Sequence, residues 1–231
     1  MTNAAIKENA ARWDSLDGEL AMEKGHLPSW MAMIRQISED NLTGKTVLDF
    51  GCNRGGFLRH LFCHKPFARA TGVDIAADAI ADAQKLGTGL PITYALPDVL
   101  ADKQGAFDLV FSHEVVYLLP DLAAHARDIH RWLKPGGAYY LAIGEYAENP
   151  LWPRWEKIVR EFSPVPPQTY SLQHMAEIFH AEGFDIGVTR LDCRGFLEYD
   201  PTEKRYLHTP IELVKFMRDD MMYFRFEKKR S

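Results

Sequence analysis

Between Lys45 and Glu145 short apolar runs alternate with stretches of helical period. KTVLDF (45–50), ARATGVD (68–74), PITYA (91–95), AFDLVFSH (106–113) and AYYLAIGE (138–145) read as strands. Residues 55–64, 76–86 and 120–132 read as the helices between them, and LKPGG (133–137) as a turn. Near-continuous apolar strands separated by helices are the pattern of a parallel sheet covered on both faces. That is the doubly wound α/β class, which binds ligands at the C-terminal ends of its strands. Two amphipathic helices, 3–13 and 27–40, are expected ahead of this core, the second opening at Pro28-Ser29. After Glu145 the pattern breaks. Residues 146–170 are crowded with prolines and read as an irregular lid or insertion, since long loops in compact domains usually serve function. A helix at 171–182 with Gly183 behind it, a strand at about 184–193, a helix at 209–219 and the closing strand MMYFRFEKK complete the reading.

Composition narrows the classes without choosing among them. The 231 residues are 46% hydrophobic and 26% charged, a globular balance. The net charge of −5 argues against a polynucleotide partner. Cys52, Cys63 and Cys193 form no disulfide framework and fit a reducing compartment. With no signal-peptide pattern and no apolar run of ~18 residues, the expectation is a cytoplasmic protein without membrane contact.

The densest chemistry lies in VLDFGCNRGG (47–56), a strand running into a glycine turn and a helix. Gly51 and Gly56 have the spacing of a P-loop, but Phe57 and Leu58 stand where Lys and Ser/Thr are required. The dinucleotide fingerprint G-x-G-x-x-G finds Asn53 in place of its middle glycine. Asp49 opposes a pyrophosphate and suits an ammonium, while the helix N-terminus favours an anion. A ligand with an amino-acid head group satisfies both. Otherwise Asp49 caps the helix and the glycines are simply a turn. Asp74 ends the next strand, where an acid accepts from both ribose hydroxyls.

VLDFGCNRGGFL, GVDIAADAI, FDLVFSHEVVYLLPD and LKPGGAYYLAI come in an order and spacing that resemble the class I S-adenosylmethionine-dependent methyltransferases, in their small-molecule, Rossmann-like branch. The resemblance covers about residues 40–190. It implies a doubly wound, mostly parallel seven-stranded sheet with a helical N-terminal cap and a lid insertion. The chain would be one domain, 1–231: cap 1–40, cofactor-binding core 41–145, lid 146–170, and the C-terminal half of the sheet 171–231. It implies S-adenosylmethionine as cofactor and S-adenosylhomocysteine as product. Asp49 and the Gly51–Gly55 backbone, with Cys52 and Asn53, would hold the methionine moiety. Asp74 would hold the ribose, with Ile75 packed on the adenine. Asp98 would accept from the adenine amine beside Val99, or else cap a short helix. Ser112 and His113 would lie under the sulfonium.

Methyl transfer from a sulfonium needs alignment and exclusion of water, and a base only if the acceptor must lose a proton. His113, Glu145 and Tyr117 are the candidate catalytic residues at the strand ends. Packing roles remain open for His113 and Tyr117, a solvent-exposed position for Glu145, and helix or loop capping for Glu114. SHEV at the end of the fourth strand replaces the Asn/Asp-Pro-Pro-aromatic motif of many enzymes acting on nucleobase or glutamine amide nitrogens. A small-molecule acceptor, methylated at O, N or C, is therefore expected. DNA is excluded as a partner and RNA disfavoured, and the chain would be a monomer or homodimer. Trp13, Trp30, Trp152 and Trp155 would pack the two caps or line an apolar acceptor pocket. Arg154 and Lys157 would meet an acidic substrate or solvent. His60 and His64 share a helix face, but without the Glu of H-E-x-x-H or a second ligand cluster they argue against a metal. The rival functions are a non-catalytic S-adenosylmethionine-binding sensor or scaffold and an NAD-dependent oxidoreductase.

Overall fold

The computed structural model describes residues 16–163, 165–202 and 206–230. The helix expected at 3–13, and Trp13 with it, lie outside the described residues. The elements run α1 (Leu16–Gln36), β1 (Leu42–Phe50), α2 (Gly56–His64), β2 (Phe67–Val73), α3 (Ala77–Leu86), β3 (Ile92–Ala95), β4 (Phe107–His113), α4 (Leu122–Trp132) and β5 (Leu133–Gly144). There follow α5 (Trp152–Phe162), α6 (Leu172–Ala181), β6 (Phe184–Arg190), α7 (Pro210–Lys215) and β7 (Met221–Lys228).

The strands form one seven-stranded sheet in the order β3-β2-β1-β4-β5-β7-β6. Only β7 runs antiparallel, pairing β5 on one side and β6 on the other. Chain order moves outward from β1 to β3 and then crosses back to β4 on the other side of β1. That reversal opens a crevice above the C-terminal ends of β1 and β4, where Asp49 and His113 stand. Alternation along the strands divides the core. Phe111, Tyr140 and Tyr223 face the α1 and α2 side; Val110, Tyr139 and Phe224 face the α4 and α6 side.

Two expectations about elements are corrected. Helix α1 begins well before Pro28 and carries that proline in its interior. A proline there removes one backbone bond without ending a helix that packs on the core through Trp30, Met33 and Ile34. Strand β5 begins at Leu133, not at Ala138: Leu133 pairs with Phe107, and the register then shifts so that Ala138 pairs with Leu109. The KPGG segment is thus an irregularity within a strand. The 146–170 segment is regular only in part: it holds α5, whose Pro153 sits in the first turn where a missing N–H costs nothing. No helix among the described residues is long and apolar enough to cross a membrane.

Candidate cofactor and acceptor site

The glycine turn is built from below by its neighbours. Val73 O at the end of β2 accepts from Gly51 N (2.8 Å) and Cys52 N (3.0 Å). Asp74 Oδ2 accepts from Asn53 N at 2.9 Å, and Cys52 O from Gly55 N at 2.8 Å. Four N–H groups of the turn are therefore already committed. A phosphate loop needs its N–H groups aimed at the ligand; this loop presents acceptors instead. Gly51 (φ 81°) and Gly55 (φ 72°) adopt left-handed backbone, and so does Asn53 (φ 45°), one of the few other residues that tolerate it. An added Cβ at Gly51 would stand 2.3 Å from Val115. Helix α2 opens with no side-chain cap and no acid in its first turn, leaving its N-terminal dipole for an anionic group.

Asp49 is buried at 4% exposure, and its Oδ2 has no hydrogen-bond partner. Burial, and then the nearby Asp74, push its carboxyl up to about 8. Asp74 is shifted up by burial and pulled back by backbone N–H groups, of which Ala76 N donates to Oδ1 at 2.9 Å. Each of its oxygens keeps a lone pair for a further donor. Two acids with only backbone donors between them form a socket for cationic and hydroxyl donors. Replacing Asp74 by alanine is expected to weaken S-adenosylhomocysteine binding about 5–100-fold, the scale of lost charge-assisted hydrogen bonds. Calorimetry showing unchanged affinity would remove Asp74 from the ribose position.

Farther along the strand ends, Ile75 (52%), Leu96 (40%) and Val99 (41%) expose apolar surface to solvent, with Asp98 exposed beside them. An aromatic ring could lie there at little desolvation cost. Tyr94, buried on β3, supports the turn from beneath, its hydroxyl donating to Gly55 O at 3.0 Å. Nothing in the sequence marked Tyr94, because an aromatic residue in a short strand reads as core.

At the other side of the crevice His113 Nε2 is buried without a partner. Its ring meets that of His26 from α1 edge to face, with centroids 4.8 Å apart. Burial, and then His26, hold His113 well below the usual imidazole range. Ser112 does not join it: strand alternation turns its hydroxyl to the opposite face, 2.5 Å from Tyr139 Oη, so it is corrected to a core pair rather than a group beneath a sulfonium. Glu114, also in left-handed backbone (φ 56°), does more than cap a loop. Its carboxyl accepts from Gly144 N at 2.8 Å and from the Tyr146 hydroxyl, tying the ends of β4 and β5 together. Burial raises it to about 8. Tyr117 packs edge to face on Tyr146 (5.0 Å) and Trp152 (6.2 Å), forming an aromatic wall under α5. Glu145 is half-buried just past β5, its carboxyl raised by burial and by Asp220 and Glu148.

The lid tryptophans are packing groups. Trp152 Nε1 donates to Thr169 Oγ1 (2.8 Å) and Trp155 Nε1 to Tyr206 O (2.6 Å). Arg154 bonds Tyr206 O, Glu212 and His208, and Lys157 is exposed. His64 Nδ1 lies 2.9 Å from His60 O, and no metal-binding cluster occurs among the described residues.

Residues 24–187 match a family model described as a methyltransferase domain. Curated relatives include ubiquinone biosynthesis O-methyltransferases. That of Chromobacterium violaceum is 35% identical over 130 residues, covering 48% of this chain and 55% of its own. That of Vibrio parahaemolyticus is 31% identical over 142 residues, covering 59% of each. The chain thus matches little more than half the length of these relatives. Among solved structures, a chain of the complex between the Haloferax volcanii Trm112 methyltransferase activator and a methyltransferase superposes with a TM-score of 0.82 at 21% identity, covering 97% of this chain and 99% of that one. A Haemonchus contortus phosphoethanolamine N-methyltransferase bound to S-adenosylmethionine superposes at 0.71 and 19% identity, covering 98% and 60%. At these identities the structures show a shared fold.

Proposed function

Because this chain belongs to the methyltransferase-domain family, an S-adenosylmethionine-dependent class, we propose that its acceptor is a small molecule methylated at a hydroxyl oxygen. The bound cofactor supplies an activated methyl group on a sulfonium. The protein's part is to hold, align and keep dry. Asp49 faces the ammonium and the uncapped start of α2 faces the carboxylate. Asp74 takes the ribose hydroxyls, Ile75 and Val99 receive the adenine, and Asp98 lies at its amine edge. The observation that carries the cofactor assignment is the orphaned Asp49 Oδ2 under a turn in which four N–H groups are already spent.

Oxygen is favoured over nitrogen or carbon because the curated relatives are O-methyltransferases. The ends of β4 and β5 also offer proton acceptors beside an aromatic wall. His113 and Glu114 are half-buried there, with Nε2 of His113 enclosed, and Tyr117 packs on the wall. A hydroxyl acceptor gives up its proton as the new C–O bond forms, so a neutral imidazole or a carboxylate at this place has work that an already nucleophilic amine would not need.

The test is transfer from methyl-labelled S-adenosylmethionine to matched panels of small aromatic alcohols, amines and carbon acids. Label is expected in the ethers. Label confined to amines or carbon would overturn the oxygen assignment. Tight S-adenosylhomocysteine binding with no transfer to any panel would favour a sensor or scaffold.

A further inference from the structure

Helix α1 lies across the methionine end of the crevice. An added Cβ on Gly56 would stand 2.6 Å from the Trp30 ring, and Glu23 pairs with Arg59 of α2 at 3.0 Å. His26, one turn before Trp30, rests on His113 at a 90° interplanar angle. Glu23, His26 and Trp30 close against Cys52, Asn53, Arg54 and Gly56 around a cavity of about 30 Å³. That is roughly one water's share of volume, against roughly 300–1,000 Å³ for a small-molecule site. The space left between this helix and the glycine turn is too small for an amino-acid head group.

We infer that α1 is a gate over the cofactor cleft, and that the His26–His113 contact is an acid-sensitive latch that holds it shut. The inference rests on the cofactor assignment above. Two imidazoles packed edge to face at 4.8 Å, one with a buried nitrogen that has no partner, can both be accommodated only as neutral rings. The charged groups packed around them are already engaged. On α1, Glu23 is paired with Arg59 and Lys24 with Glu198. In the turn, Arg54 is paired with Asp82 at 3.0 Å. Beyond β4, the Glu114 carboxyl is turned to Gly144 and Tyr146. Asp49, raised to about 8, is largely protonated in acid, and His60 lies against the far side of Trp30. None offers a spare anion for an imidazolium.

The direction follows from linkage. Burial lowers His26 to about 4 in the closed state, and His113 is lowered too. Released into water, each returns to roughly 6.5. The closed state binds fewer protons, so it is fully favoured above pH ~6.5 and loses ground as pH falls toward 4.

Hydrogen exchange on the whole cofactor-free protein reads the latch directly. With intrinsic rates corrected and α4 amides as internal reference, protection of residues 23–36 should fall roughly tenfold or more between pH 7.5 and 5.0. His26→Phe keeps an aromatic contact and leaves His113 as the one titrating ring of the pair, so its α1 should lose protection in acid several-fold less than the wild type. Rapid mixing with S-adenosylhomocysteine reads the gate: the observed rate should reach a plateau at high ligand, set by opening, and that plateau should rise in acid more steeply in the wild type than in the variant. Equal acid responses in wild type and variant overturn the latch. A rate that stays linear in ligand and indifferent to pH overturns the gate. Failure of S-adenosylhomocysteine to bind at any pH overturns the cofactor assignment instead.

Discussion

Asp49→Asn lowers affinity for S-adenosylhomocysteine by about 30–100-fold, or about 2–3 kcal/mol, and at the same time stabilises the cofactor-free protein. Both effects come from one buried oxygen without a partner. A charge-assisted bond from an ammonium to a carboxylate is about twice as strong as a neutral one, so the amide cannot replace it. In the cofactor-free protein the same carboxylate is a liability. Its folded-state carboxyl sits near 8, far above the ordinary ~3.9 of an unfolded aspartate. Between those values the folded state binds the extra proton, so this group's contribution to stability is intact below about pH 4 and is lost as pH rises toward 8. The asparagine variant should lose less stability across that window than the wild type and unfold at higher temperature at pH 8. Calorimetric titration and thermal melts at pH 6 and 8 check both signs. A variant that binds normally, or that melts lower at pH 8, would show that Asp49 is a structural cap.

Gly55→Ala should cost about 3–4 kcal/mol of stability and, with it, the shape of the turn. Two independent penalties meet at this position. The backbone is left-handed at φ 72°, worth about 1–2 kcal/mol against a side chain. The added Cβ would also stand 2.3 Å from the ring of Tyr94, whose hydroxyl holds Gly55 O. That ring has little room to move, since Gly72 and Gly87 also lie against it at distances that admit no Cβ. Its displacement unmakes a buried hydrogen bond and leaves local overpacking, typically 1–3 kcal/mol. Gly44→Ala is the control: it shares the positive φ (78°) but nothing lies within 4 Å, so only the backbone penalty applies. Denaturant midpoints for the two variants give the comparison. Equal losses would mean that Tyr94 does not constrain the turn.

The doubly wound class could be anticipated from the sequence because its signals are local and repeated. Apolar runs such as KTVLDF and AFDLVFSH need burial on both faces, and the glycine turn after β1 has few other homes than a switch point. Prolines punctuate the chain without fixing its boundaries, and Pro28, read as a helix start, misled the reading. Pro28 lies inside α1 and Pro153 just inside α5; local chemistry marks each as a boundary, and tertiary packing decides which kind. Ser112 shows a second limit. Its place at the end of β4 was legible, but the face it points to depends on register, and one residue's difference turns it to Tyr139 and leaves His113 toward the crevice. Tyr94 and His26 carried no sequence signal, and Glu114 was legible only as a local cap, since each matters through a partner at least 30 positions away: Gly55, His113, and Gly144 with Tyr146.

The account's central claim is that an acidic socket, not a phosphate cradle, receives the cofactor's amino-acid head. Titration of the wild-type protein with S-adenosylhomocysteine at pH 6, 7 and 8, in buffers of different ionisation heat, tests it most directly. Affinity should strengthen by up to tenfold per pH unit toward pH 8, with net release of about one proton as Asp49 ionises against the incoming ammonium. Affinity that is independent of pH with no proton release, or tight NAD binding with no response to S-adenosylhomocysteine, would contradict it.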